Sequence, residues 1–220
     1  MSPTDAEDRR PLTRARVLAE AVALADEEGL DAVTMRRLGR RLGVEAMSLY
    51  NHVANKVDLL DGMADVVSAD FAVPAHGEDW RRALRRTARS AHDVLTRHPW
   101  AGALLESRSN PGPARLRYLD GVVGIMVDSG FPIRLAYQAF LTLDSYIYGF
   151  ALQEASAPAA PEQAADAARA FVDALPDGEY RHLVSMAEVV MDPDYDRSTD
   201  FDAGLSMILD AIDGRRPQTA

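Results

Sequence analysis

The sequence has 220 residues, of which 47% are hydrophobic and 26% are charged, and its formal net charge is −10. This is the composition of a globular protein with enough chain for a sizeable core, and the lack of cysteine excludes disulfides, thiolate metal sites and cysteine nucleophiles. Because no apolar run approaches the ~18 residues of a membrane span and the N-terminus MSPTDAEDRR is polar, we expect a cytoplasmic protein with no membrane partner.

Charge is distributed unevenly along the chain. Residues 9–56 carry nine basic and six acidic side chains, whereas residues 57–220 carry 15 basic and 25 acidic ones. An acidic body with a basic N-terminal region favours a nucleic acid as the partner of that region alone.

Apolar residues recur at helical spacing almost throughout, and no strand pattern or internal repeat interrupts them. The sequence therefore predicts an all-α fold of about ten helices. Near the N-terminus, Gly29 ends a first helix, Thr34 caps a second helix through Arg41, and Asn55 caps a fourth that reaches about Phe71. Further helices are predicted over about 80–97, 100–107, 114–129, 132–154, 162–174, 179–190 and 199–214.

A helix-turn-helix is predicted over residues 34–52, which read TMRRLGRRLGVEAMSLYNH. The segment has the spacing of a helix-turn-helix: a short helix, a turn at Gly43 that leaves no room for a Cβ, and a second short helix from about Glu45 to Asn51. A plain two-helix hairpin has the same pattern. In a helix-turn-helix, the side of the second helix that faces a major groove would carry Glu45, Ala46, Met47, Ser48, Asn51 and His52.

The segment GLDAVTMRRLGRRLGVEAMSLYNHVANK at 29–56 resembles the N-terminal domain of the TetR family of transcriptional repressors. The ending DFDAGLSMILDAI at 200–212 resembles the last helix of the tetracycline-repressor-like C-terminal branch. The resemblance implies a flexible tail over 1–11, a DNA-binding domain over 12–56, and an effector-binding and dimerisation domain over 57–220. The helix over 55–71 would connect the two domains.

By position in the family motif, ten residues are assigned to DNA binding. Ser48 and Tyr50 would contact a phosphate or a thymine edge, and Lys56 would hold a phosphate at the N-terminus of the fourth helix. Arg36 would contact a base or a phosphate, whereas Arg37, Arg40 and Arg41 would contribute general electrostatic attraction. The full set is Thr34, Arg36, Arg37, Ala46, Met47, Ser48, Tyr50, Asn51, His52 and Lys56.

The resemblance also implies a homodimer in which the helices over 132–154 and 199–214 pack with their mates. The last helix has a wide apolar face that would meet the second chain or cover its own core, formed by Phe201, Leu205, Ile208, Leu209 and Ile212. An effector cavity is implied in the body. Its candidate lining, each member of which could instead be ordinary core, is Trp100, Leu104, Leu105, Tyr118, Met126, Tyr137, Phe140, Leu141, Asp144 and Tyr148.

Some positions depart from known chemical patterns. Phe71, Thr87, Ala91 and Leu105 stand where the tetracycline-binding members have drug contacts and a magnesium-binding histidine, which argues against tetracycline with magnesium as the effector. The acidic loop 192–200 lacks the glycine and the glutamate of a calcium loop. No nucleophile elbow, phosphate loop or dinucleotide motif is present, so we expect no cofactor and no metal.

The sequence thus favours a homodimeric repressor that a small-molecule effector releases from a palindromic DNA operator. The first alternative is a helix-turn-helix regulator controlled by a protein partner or by no ligand. The second is an α-helical enzyme that uses the body cavity.

Overall fold

The computed structural model describes residues 11–158, 160–176 and 178–216. Within these ranges the chain forms eleven α-helices, two short 3₁₀ turns and no strand, which confirms the predicted all-α class. The tail predicted over 1–11 lies, apart from Pro11, outside the described residues.

The N-terminal part contains four helices: α1 (Arg14–Glu28), α2 (Met35–Arg41), α3 (Ala46–Leu49) and α4 (Lys56–Ser68). The hydroxyl of Thr34 accepts a hydrogen bond from the backbone N–H of Arg37, and the Asn55 side chain accepts one from Asp58. These bonds satisfy backbone donors at the starts of α2 and α4, as the sequence predicts.

The body contains seven helices, whose bounds lie within two residues of the predicted ones. They are α5 (Trp80–Arg97), α6 (Ala101–Ser107), α7 (Pro113–Asp128), α8 (Ile133–Ala155), α9 (Pro161–Asp173), α10 (Arg181–Met191) and α11 (Asp200–Asp213). The long helix α8 packs against α5, α7 and α11, while α9 and α10 form a hairpin packed mainly on itself. Apolar residues of the N-terminal helices α1–α4 (the head) and of helices α5–α11 (the body) join in one core.

Three side-chain pairs align α11 with α5. Arg81 forms an ion pair with Asp210, Arg85 donates to the Ser206 hydroxyl at 3.0 Å, and Arg89 holds Asp202 through two hydrogen bonds. The partners are four residues apart on both helices, so each pair lies about one turn from the next.

The structure corrects the expected dimer face of α11. Phe201, Leu205, Leu209 and Ile212 are buried within the single chain, and Ile208 is partly buried against the same core. They are covered because α11 packs on both α5 and α8, which needs a wider apolar face than one contact does. Met207, which is 71% exposed, faces outward instead.

Candidate functional site

The angle between α2 and α3 depends on a close backbone approach at Gly39. A Cβ built there would lie 2.9 Å from the carbonyl oxygen of Val44, whose N–H donates to the Gly39 carbonyl at 2.9 Å. Gly43, in the turn itself, has φ +69°, a conformation that glycine adopts without strain. The two glycines therefore fix the short connection between the helices.

The outer side of α3 presents part of the predicted recognition set. Met47 is 75% exposed and Tyr50 is 44% exposed, and Asn51 is also exposed. Ala46, Ser48 and His52 are half-buried, while Leu49 is buried and anchors the helix. Met47, Tyr50 and Asn51 are thus the exposed residues of the DNA-binding set at α3, and Glu45, which is also predicted to face the groove, is exposed as well.

The basic side chains of α2 fall into two groups. Arg37 is paired with Glu28, and Arg41 is paired with both Glu20 and Glu27 of α1. These carboxylates raise the pKa of Arg41 and neutralise its charge locally. Within the described residues, Arg36 and Arg40 form no ion pair with a carboxylate, so their charges are available to an external anion.

Lys56 begins α4 but is not a freely extended side chain. Its amino group donates to the carbonyl of Val33, and it is half-buried. Burial lowers the pKa of Lys56, and the nearby Asp31 carboxylate opposes that shift. To hold a phosphate, as the sequence predicts, the amino group would have to share its donors with Val33.

A cavity of about 300 Å³ opens between the head-to-body helix α4 and the helices α6, α7 and α8. Four of the ten residues predicted to line an effector site are on its wall: Leu105, Phe140, Leu141 and Asp144. Phe140 and Asp144 also border a void of about 10 Å³ beneath it, together with Tyr118 and Thr87.

The other predicted lining residues lie elsewhere, which corrects the expected lining. Met126 and Leu104 are core residues, and Tyr137 is 56% exposed on the outside of α8. The indole of Trp100 points to the head, where its Nε1 donates to Asp26 at 2.7 Å. Tyr148 is near the cavity without lining it; its ring centre lies 5.8 Å from the Arg115 guanidinium carbon.

Sequence reasoning missed Arg115, the buried cation of this site. Its guanidinium carbon lies 5.1 Å from the centre of the Tyr118 ring, and Nη2 lies 3.5 Å from Asp144. Arg115 lies three residues before Tyr118 and seven before Val122, on the buried stripe of α7. An arginine in register with that stripe was the signal that could have found it.

Four buried side-chain polar atoms in the described part of the chain lack a hydrogen-bond partner, and three of them belong to this region. These three are Arg115 Nη1, the Tyr148 hydroxyl and Thr87 Oγ1; the fourth is Ser68 Oγ. Burial raises the pKa of Tyr118 and of Tyr148, so both phenols are protonated. Burial also raises the pKa of Asp144 to about 6, although Arg115 opposes the shift.

Two carboxylates of α4 attach the connecting helix to the cavity wall. Asp65 accepts hydrogen bonds from the backbone N–H groups of Ala114 (2.8 Å) and Arg115 (3.2 Å) at the start of α7. Asp61 lies 3.4 Å from Arg108. Both aspartates also line the cavity, so a molecule bound there would contact the helix that begins beside the helix-turn-helix.

A larger groove of about 730 Å³ lies between the end of α8 and the α9–α10 hairpin, next to Phe150, Met191 and Tyr195. None of the four unpartnered buried polar atoms found in the described residues belongs to the lining of this groove. The cavity at Arg115 differs, because Arg115 Nη1 is one of those atoms. Among the described residues, no helix is long and apolar enough to cross a membrane, and no cluster of three or more His, Cys, Asp and Glu side chains could hold a metal ion.

The helix-turn-helix, joined to a helical body with a cavity, defines the class as a DNA-binding regulator. Two family models match the chain. Residues 17–63 match the bacterial regulatory proteins of the tetR family, and residues 73–215 match the tetracyclin repressor-like C-terminal domain. The chain therefore belongs to the TetR family of DNA-binding transcriptional repressors, and the family assignment excludes the enzyme alternative.

Curated relatives agree with this assignment. The HTH-type transcriptional repressor DrrR1 of Streptomyces coeruleorubidus is 34% identical, over 92% of this chain and 77% of its own. The class A tetracycline repressor protein of Escherichia coli, from transposon 1721, is 30% identical, over 91% of this chain and 90% of its own.

Solved structures show the same architecture. The TetR family protein ActR of Streptomyces coelicolor, in complex with actinorhodin, superposes with a TM-score of 0.78 at 28% identity, over 95% of this chain and all of that one. The regulator SCO7222 of the same organism gives a TM-score of 0.79 at 27% identity, over 94% of this chain and all of that one.

Proposed function

We propose that the protein is a homodimeric cytoplasmic repressor that leaves a palindromic operator when a small molecule fills the cavity at Arg115. The observation that carries the proposal is the position of α4. Its residues Asp61 and Asp65 line the cavity, and its N-terminus follows the helix-turn-helix directly. A ligand that displaces α4 would change the position of the head.

DNA binding rests on the surface around α3. Met47, Tyr50 and Asn51 are exposed where a recognition helix meets base edges, and Arg36 and Arg40 supply unpaired charge for phosphates. Thr34, Ala46, Ser48, His52 and Lys56 surround them, and Arg37 is partly neutralised by Glu28.

Dimerisation is proposed on α8 and α11. Tyr137, Leu141 and Leu152 are between 45% and 68% exposed on one side of α8, and Met207 is exposed on α11. A two-fold interface places the same patch of both chains face to face, so two apolar helices per chain would form a bundle of four. Two heads held about 34–36 Å apart would then meet successive major grooves of a palindrome.

The proposal is tested by selecting duplexes that the full chain retains from a random library. We expect an inverted repeat, with sedimentation of the complex giving two chains per duplex. Compounds found to stabilise the protein thermally should then lower its operator affinity. A compound that fills the cavity and leaves operator affinity unchanged would favour control by a protein partner, or by no ligand.

A further inference from the structure

Resting on the proposed function, we infer that the effector is an aromatic organic acid whose carboxylate binds Arg115. The cavity, its unpartnered donors and its apolar wall each limit the chemistry of the ligand.

Arg115 has unmet hydrogen-bonding capacity. The residue is 8% exposed, yet Nη1 has no partner in the described part of the chain. Its carboxylate neighbour Asp144 is 3.5 Å away on the other nitrogen, too far for a strong hydrogen bond. A buried guanidinium left with a free N–H is best satisfied by an anion, and a carboxylate matches its planar geometry.

The other unpartnered groups near Arg115, the hydroxyls of Tyr148 and Thr87, also offer protons. The Tyr148 hydroxyl lacks an acceptor, and its ring faces the Arg115 guanidinium. The Thr87 hydroxyl lacks a partner in the small void, which shares Phe140 and Asp144 with the main cavity. Each hydroxyl has a proton to donate, so the unpartnered groups around Arg115 are hydrogen-bond donors, which makes this region suited to an anion rather than to a cation.

The acidic residues on the cavity wall do not select a cation, because they already have partners or face solvent. Asp65 accepts two backbone hydrogen bonds from the start of α7, and Asp61 is paired with Arg108. Asp144 faces Arg115 itself. These three carboxylates are therefore already engaged, and Glu106, the fourth carboxylate of the lining, is exposed to solvent. Nη1 of the buried Arg115, by contrast, has no partner in the described part of the chain.

The apolar part of the cavity limits the rest of the ligand. Phe140, Leu105 and Leu119 supply an apolar wall next to Arg115, and 300 Å³ is the small end of ligand-sized pockets. A flat ring system of two or three fused rings would bury its faces against this wall while its carboxylate reaches Arg115.

The test is calorimetric titration of the full chain with three probes of one shape. The probes are 1-naphthoate, neutral 1-naphthamide and cationic 1-naphthylmethylamine. We expect 1-naphthoate to bind at least tenfold more tightly than either of the others. Equal binding of all three, tightest binding of the amine, or no binding of the acid would overturn the ligand class.

Variants separate charge recognition from folding. Arg115→Met should remove the preference for the acid, whereas Arg117→Met, on the exposed side of the same helix, should keep it. Asp144→Asn leaves Arg115 without its carboxylate neighbour, so it should strengthen 1-naphthoate binding several-fold. This second variant keeps the inference testable if Arg115→Met fails to fold. Weaker binding of the acid to Asp144→Asn would contradict the inference.

The outcomes also separate this inference from the proposed function. If the amine or the amide binds more tightly than the acid and releases operator DNA, the ligand class is wrong and effector-dependent release stands. If 1-naphthoate binds in the predicted order but operator affinity stays unchanged, the ligand class stands and release fails.

Discussion

Asp26 of the first helix accepts a hydrogen bond from the Trp100 indole at the start of the body, with Nε1 and Oδ1 2.7 Å apart. The same carboxylate oxygen lies 2.7 Å from Nδ1 of His98. The head is thus attached to the body at a second place, distant along the chain from α4. A shift of the loop before α6 would move α1 directly.

This attachment predicts a loss of stability for Asp26→Ala. Two hydrogen bonds to one carboxylate would be lost and the Trp100 N–H left unpaired, which should reduce the free energy of unfolding by about 1–2 kcal/mol. We expect Tm to fall by about 3–6 °C in calorimetry. Glu27→Ala on the same helix is the matched control. It should change Tm far less, because Arg41 keeps its ion pair with Glu20 when Glu27 is removed. Equal shifts in both variants would show that Asp26 does not join the two parts.

The ion pairs of α2 predict which arginines contribute to the salt dependence of DNA binding. Arg36→Ala should weaken operator binding and reduce the slope of log affinity against log salt by about 0.9, the value for one phosphate contact. Arg41→Ala should change that slope much less, because Glu20 and Glu27 already neutralise it. Fluorescence anisotropy across a salt series measures both slopes, and a larger change for Arg41→Ala would contradict the assignment.

Exposure on α11 predicts opposite outcomes for two neighbouring substitutions. Met207→Glu places a charge on the proposed dimer surface and should give folded monomers, because Met207 does not belong to the core. Leu205→Glu buries a carboxylate in a fully covered position and should prevent stable folding. Sedimentation and circular dichroism distinguish the two results. A dimer that stays intact in Met207→Glu would move the interface away from this face.

Two glycines in helices predict effects of opposite sign. Gly39→Ala would push α2 away from the Val44 carbonyl, so it should lower both stability and operator affinity. Gly124→Ala meets no atom within 4 Å and should stabilise the protein by up to about 1 kcal/mol. Urea denaturation of both variants tests this, and a tolerated Gly39→Ala would mean that the turn relaxes freely.

The raised pKa of Asp144 predicts a pH-dependent stability. Its pKa is about 6 in the folded protein against the ordinary aspartate value of 3.8, mainly because of burial, so the folded state holds this proton more tightly. The contribution to stability is present at low pH and lost as pH rises through about 6. Asp144→Asn should therefore lose less stability than the wild type between pH 4.5 and 7.5, on the order of 1–3 kcal/mol by linkage. Parallel curves for the two proteins would contradict the shift.

The helices could be predicted closely because their ends are set by local chemistry. Pro161 starts α9, Gly130 follows α7, and Thr34 and Asn55 cap α2 and α4. Such signals act within one turn of the chain, so they need no knowledge of tertiary contacts.

The site could be predicted only in part, because its residues are defined by contacts between distant helices. Trp100 resembles a cavity aromatic in sequence, but its partner Asp26 is 74 residues away. Leu205 belongs to a face of α11 that two neighbouring helices cover. The apolar pattern of a single helix does not reveal how many other helices pack against that helix. The pairing of Arg41 with Glu20 and Glu27 likewise depends on how α1 lies against α2.

The three pairs between α5 and α11 limit how these helices move. Because partners recur every four residues, about 6 Å along each axis, a slide of less than one turn would stretch all three pairs together, and a slide of a whole turn would bring an arginine to a new acceptor. Relative sliding of the two helices is therefore stepwise. Small displacements of α5, whose Thr87 borders the small void beneath the cavity, would carry α11 with them and so reach the outward face of Met207.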